Sequence, residues 1–306
     1  MSTKKNESTH LFKGSSFIVL STIAYGLYGV WSRLIESNFD AFSQNWVRSL
    51  LLLAIYGSIL LISRKKWKKI EKKDIKWLAL WGLSGTCTTI LTFIVFNNLP
   101  LGTSYFLIYS TMILSGLVVG SLFFKEKFNL AKTLSFGLVL IGLGLIYSFS
   151  IESDKVIYLI FALLSGTMTG FWNTFSKKIS GEYSNPQMLF FDSSLSILFA
   201  FTGGLIIGEK LPDFTIGIGW LPMIGFVLTN FVASNSVIHG FRYLEAQIGS
   251  LILPIEVIFA TLFGYLIFGE ILAVETLFGG LCIVLASIIP NLHTILKAQK
   301  KSIFLT

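Results

Sequence analysis

The chain has little charge, little cysteine and little histidine. Of its 306 residues, 13% are Asp, Glu, Lys or Arg, against about 25% in a soluble domain. That scarcity excludes an ordinary water-covered globule. The two cysteines, Cys87 and Cys282, each sit inside an apolar run. They exclude a disulfide framework and a thiolate metal site, and read as small packing residues. The three histidines, His10, His239 and His293, are scattered, so no metal site and no cofactor is expected. No GxxxxGK[S/T] run occurs, which argues against direct drive by ATP. Nucleic acid is not an expected partner either. The net charge of +8 is accounted for by basic loops at a membrane surface.

Hydrophobic residues are abundant, at 53% of the chain, and they are gathered into long runs. In lipid a backbone must satisfy its own polar groups, so runs of about 20 apolar residues read as crossing helices. Ten such spans are expected, at 14–34, 41–63, 75–97, 102–124, 130–149, 156–178, 186–208, 216–240, 244–268 and 273–290. The first follows a short polar stretch and lacks a small-residue cleavage site after it. It is expected to be a retained helix rather than a cleaved signal.

The spans repeat. Residues 14–124 and 158–268 resemble one another at a shift of 144 positions: Gly26, Ser32 and Arg33 return as Gly170, Ser176 and Lys177. The segment from Gly120 to Glu126 returns as Gly264 to Glu270. Five spans per copy is an odd number, so the second copy must enter the membrane from the opposite face. The expected fold is all-α, a polytopic membrane protein of ten transmembrane helices, built as two inverted five-helix repeats around a central cavity. Its expected parts are a tail (1–13), the two repeats (14–149 and 150–290) and a second tail (291–306).

Lysine and arginine set the expected orientation. With the N-terminus inside, 20 of the 24 basic residues fall in inner segments and only Lys155 and Lys210 in outer loops. Both termini are therefore expected in the cytoplasm, with the protein in the cell (inner) membrane.

With these features the chain resembles the drug/metabolite transporter superfamily, in its ten-helix EamA-type branch. The resemblance rests on the two five-span halves, on Phe268-Gly269-Glu270 and Phe124-Lys125-Glu126, and on Phe136-Gly137 and Gly279-Gly280. Tyr25-Gly26, Arg48 and Pro254 complete it. It implies a basket-like bundle whose cavity is lined by spans one, three, four, six, eight and nine. Spans five and ten are implied at the periphery, as a contact for a second copy of the chain.

Glu256, at the middle of span nine, is the first candidate site residue. A carboxylate at that depth costs about 3 kcal/mol, and such groups face a polar interior. It suits proton carriage or contact with a cationic group; the alternative is a neutral acid hydrogen-bonded to a neighbouring helix. Its repeat counterpart is Met112, so the acid is not demanded by the scaffold. Arg48 and Asp192 occupy equivalent positions with opposite charge. Each lies about 10 Å into its span at 1.5 Å per residue, which places them near opposite faces and argues against a direct ion pair. Each is either part of a gate or an interface residue. Span eight carries two polar stripes. One holds Phe231, Asn235, His239 and Arg242; the other holds Asn230 and Ser234. They read as interhelical glue or as a cavity wall, with His239 nearer an interface residue. Six aromatic residues, Tyr25, Tyr28, Trp31, Tyr105, Tyr109 and Trp172, stand near the expected cavity, and Tyr109 and Trp172 join the candidate site. Trp77, Trp81 and Trp220 are assigned to the membrane interface.

The leading expectation is a secondary active transporter of a small organic solute working by alternating access. Export of amino acids or related metabolites, coupled to protons, comes first. Import of a vitamin or nucleotide-like metabolite is the alternative. A membrane-embedded enzyme on lipid-linked substrates is remote, because the acids are scattered and no His/Asp cluster exists; no catalytic residue is assigned. The expected partners are the small-molecule substrate, protons, membrane lipids and a second copy of the chain.

Overall fold

The computed structural model describes residues 2–35, 38–63, 67–99, 101–146, 155–212, 214, 217, 220–269 and 274–303. Glu270 and the basic turn residues Arg64, Lys65 and Lys66 lie outside the described residues, as does the side chain of Asn97. Every regular element among the described residues is a helix, as apolar sequence without water partners requires. Among the described residues, twelve helices make the ten spans. The first repeat holds α1 (Ser2–Gly26) and α2 (Tyr28–Ile35), α3 (Ala41–Ile62), α4 (Lys72–Asn98), α5 (Leu101–Phe124) and α6 (Leu130–Ile146). The second holds α7 (Val156–Ile179), α8 (Asn185–Ile207), α9 (Trp220–Tyr243), α10 (Ala246–Ile252) and α11 (Ile255–Phe268), and α12 (Val274–Ile303). Among the described residues, seven stretches are long and apolar enough to cross a membrane by length and composition, and α6 and the Val274–Pro290 part of α12 are shorter apolar helices. The molecule is a polytopic membrane protein.

Two spans are broken. Span one is interrupted at Leu27, between α1 and α2. Span nine is interrupted at Leu253 and Pro254, between α10 and α11. Pro254 has no N–H to give the carbonyl one turn back, and its ring crowds that turn. The chain tightens instead into short turns, with Glu256 N donating to Leu253 O at 3.0 Å and Val257 N to Pro254 O at 3.0 Å. Their repeat counterparts, α7 and α5, run unbroken.

The packing obeys the exchange of the two halves. Span three packs on six as eight packs on one; four packs on six as nine packs on one. Spans two and seven pack on each other, as do five and ten, and four and nine. Small residues set the closest crossings. On α7, Gly166 lies against the carbonyl of Ile108 and Gly170 against that of Met112, where a Cβ would stand 2.1 and 2.6 Å from oxygen. Gly142 of α6 and Gly279 of α12 face each other in the same way, a Cβ on either meeting the other's carbonyl oxygen at 2.6 or 2.5 Å.

Candidate functional site

A cavity of about 720 Å³ lies at the centre of the bundle. The resemblance implied six lining spans. The structure adds spans two and seven, through residues such as Arg48, Ser49, Tyr56, Asp192 and Ser196, and touches five and ten at Ile146 and Thr276. Spans two and seven matter because they supply Arg48 and Asp192, two of the cavity's charges.

Six of the eight candidate residues line this one cavity: Glu256, Asn230, Tyr109, Trp172, Arg48 and Asp192. Glu256 sits in the first turn of α11, immediately after the break. A helix N-terminus favours a carboxylate. The Tyr109 hydroxyl of α5 lies close to it. Asn230 and Ser234 form the polar ladder on the cavity side of α9, with Ser234 Oγ donating to Asn230 Oδ1 at 3.0 Å and Tyr25 close to Ser234.

Arg48 and Asp192, expected near opposite faces, both reach the cavity. It runs along enough of the bundle axis to meet both depths. The Arg48 Nη2 donates to Asn45 Oδ1 at 2.6 Å, and its guanidinium carbon lies 4.7 Å from the ring centroid of Phe226 and 5.6 Å from that of Tyr28. Its Nε and the Tyr28 hydroxyl are buried with no hydrogen-bond partner. Asp192 Oδ1 accepts from Trp172 Nε1 at 3.0 Å. That indole stacks on Trp81 with ring centroids 5.7 Å apart, and Trp81 Nε1 donates to the Trp172 carbonyl at 2.8 Å.

The remaining two candidates, Asn235 and His239, stand outside the cavity lining. The first stripe of α9 faces neighbouring helices rather than the cavity. Asn235 Nδ2 donates to the Tyr56 hydroxyl at 3.2 Å. His239 Nδ1 is 2.7 Å from Asn185 Nδ2, and its ring stacks on Phe17 at 5.3 Å. Both are side-chain glue between spans. Trp81, assigned from sequence to the interface, is fully buried. Its position near the start of a span mimics an interface residue, and only the arrival of Trp172 covers it. Trp31 is packed over Gly225 and does not line the cavity. Sequence reasoning missed Tyr56, Asn173 and the threonines 88, 89 and 92, all of which line it. The cluster of threonines in one apolar run was the available signal.

Among the described residues that line the cavity, the exposed ones lie at one end. There Arg33 of α2 lies over the Phe268 ring of α11 at 5.0 Å, beside Thr276. The other end is sealed by a polar knot. Glu126 accepts from Lys177 Nζ at 2.9 Å and from the backbone N–H groups of Ala246 and Gln247 at 2.7 and 2.9 Å. Lys132, only 3% exposed, donates to Glu245, Gln247 and the Lys127 carbonyl. Gln247 Nε2 returns to the Leu117 carbonyl at 3.0 Å. Spans four, five, six and nine are thereby tied together.

The model of the EamA-like transporter family matches twice, over residues 12–148 and 156–292. The chain belongs to the EamA-like transporter family. A solved crystal structure is similar to this EamA-type chain with a TM-score of 0.78 and 12% identity, covering 91% of this chain and 96% of that one. At that identity the likeness shows the fold alone. No curated protein matches the sequence significantly. Family membership makes the EamA-type protein a multi-pass membrane transporter of small solutes, in a family of transporters rather than of enzymes. Among the described residues, no three His, Cys, Asp or Glu side chains are grouped as a metal site.

Proposed function

We propose that the protein is a secondary active exporter of amino acids or related metabolites, working by alternating access, with Glu256 carrying a coupled proton. The observation that supports this most is the placement of Glu256: an intramembrane acid, at a helix break, on the wall of a large cavity. Such residues mark proton and substrate pathways, and broken helices mark transporter binding sites. The groups facing Glu256 are the Tyr109 hydroxyl and, within electrostatic reach, Tyr25, Tyr28 and Tyr105. Arg48 and Asp192 share the same wall.

The protein resides in the cell membrane with both termini cytoplasmic, on the distribution of its basic residues. In that orientation the Arg33 end of the cavity is outer and the Lys132 knot is inner, which makes this an outward-facing state. The division into tails (1–13 and 291–306) and repeats (14–149 and 150–290) belongs to this reading, in which the exposed apolar rows of α6 and α12, such as Ile141, Leu281 and Leu285, face lipid or a second copy. Import of a vitamin or nucleotide-like solute is the second reading. It is favoured by the cavity's size and its aromatic wall, which suit a flat ligand.

The test is transport in sealed vesicles under an imposed pH gradient, with wild type beside Glu256→Gln. The gradient should accelerate wild-type transport, and the variant should lose at least tenfold of that acceleration. Equal transport and equal proton dependence in the two proteins would remove Glu256 from the mechanism. The direction in which labelled solute accumulates separates export from import.

A further inference from the structure

We propose that the substrate is a small zwitterion, its carboxylate held at Arg48 and Tyr28 and its ammonium group at Asp192. The proposal rests on the transporter reading only in taking the central cavity as the substrate's place.

The two halves carry equivalent pairs of residues. Tyr28 and Trp172 are 144 positions apart, and so are Arg48 and Asp192. In each half an aromatic side chain of the first span meets a charged side chain of the second. In one, the Arg48 guanidinium lies over the Tyr28 ring at 5.6 Å. In the other, the Trp172 indole N–H donates to Asp192 at 3.0 Å. The same device is built twice with opposite charge, and both copies line one cavity. Arg48 and Asp192 do not meet, although each lies within the other's electrostatic reach. Arg48 has no ion-pair partner among the described residues.

Each unit has unused capacity of its own sign. At the basic unit, the Arg48 Nε–H and the Tyr28 O–H are buried without acceptors. Two neighbouring donors left unmade are costly. A planar carboxylate offers two oxygens and suits a guanidinium fork. At the acidic unit, the one hydrogen bond to Asp192 falls on Oδ1, which leaves Oδ2 for a donor. An ammonium group brings three donors, and the indole, which meets the carboxylate with its N–H edge, holds that carboxylate in place. This indole is fixed in place by its stack on Trp81 and by Gly85, whose missing side chain makes the room: a Cβ there would stand 2.7 Å from Trp172 Nε1 and 2.9 Å from Asp192 Oδ1. Glu256 lies on a different helix, close to Tyr109 and within electrostatic reach of Tyr28, and is left for the proton. A lone amine would leave Arg48 unbalanced in a low-dielectric cavity, and a lone carboxylate would leave Asp192 unbalanced. A zwitterion balances both.

The experiment is a binding titration of the purified full-length protein with three probes that share a ring and differ in charge: phenylalanine, phenethylamine and 3-phenylpropanoate. A second set, 4-aminobutanoate, butylamine and butanoate, tests a longer separation of charges. Thermal stabilisation and tryptophan fluorescence are the readouts. In at least one set the zwitterion should bind at least tenfold more tightly than either singly charged analogue. Arg48→Gln should then erase the discrimination against the amine, Asp192→Asn should erase that against the carboxylate, and Arg48→Lys should retain most of it. The proposal is overturned by failure of both zwitterions to bind, by an amine or acid that binds as tightly as its zwitterion, or by variants that leave the discrimination intact. Should the variants not fold, the wild-type comparison decides alone. Selective binding without proton-driven export would sink the export reading and leave this one standing. Proton-driven export of a singly charged solute would do the reverse.

Discussion

At the scale of single residues, the cavity depends as much on a missing side chain as on the charged ones. Gly85 leaves a gap of less than one methyl group beside Trp172 and Asp192. Trp172 cannot retreat, because Trp81 lies stacked behind it. Gly85→Ala should therefore overpack this corner at about 1–3 kcal/mol, lower the Tm and reduce transport several-fold. Unchanged Tm and transport would show that the corner is softer than its geometry. Sequence marked several of the polar residues here and misjudged their company. Glu256, Asn230 and Tyr109 stand on the cavity wall, because a polar group inside an apolar run has few other places to go. Asn235 and His239 are just as polar, yet they are used between helices. A period of 3.6 residues groups side chains into stripes. Which stripe meets the cavity depends on the rotation of α9 about its own axis, which its neighbours fix.

At the scale of elements, the two ends of the bundle are unequal. Lys132 of the first half corresponds to Thr276 of the second, and Arg33 of the first half to Lys177 of the second. Lys132 ties Glu245 and Gln247 to the Lys127 carbonyl, and a threonine is too short to do so. Lys132→Thr would copy the other half. It should leave Gln247 Oε1 short of a donor and cost about 1–3 kcal/mol; Glu245, half exposed, is left to water. The seal should loosen. A cysteine introduced in place of Ser250, which is fully buried against Gly116, reports on it when Cys87 and Cys282 are first replaced by serine. A membrane-impermeant maleimide applied on the Lys132 side should modify Ser250→Cys several-fold faster in the Lys132→Thr background. Equal rates would assign the knot to stability alone. The broken spans tell the same story of inequality. Pro254 announces the break in span nine from sequence, whereas no proline stands at Leu27, and that break appears only in the folded chain.

At the scale of the whole molecule, the odd number of spans per repeat and the asymmetry of basic residues together fix the proposed topology. With Cys87 and Cys282 replaced by serine, Lys127→Cys should label only from the cytoplasmic side of intact cells or vesicles, and Lys210→Cys only from outside. The opposite pattern would invert the molecule, and with it the assignment of the sealed and open ends.

The sequence by itself determined the solvent, the helical class and the doubling. Lipid leaves a chain with 13% charged residues almost no alternative to crossing helices, and a shift of 144 residues is visible without coordinates. Only the tertiary structure decided that Arg48 and Asp192 share a cavity, that Trp81 is interior, and that His239 is not on the cavity wall. The physical reason is that depth along a helix can be counted from sequence at 1.5 Å per residue. Rotation and lateral neighbours are set by glycine crossings such as Gly166 and Gly170 against α5, and those involve residues far apart in the chain.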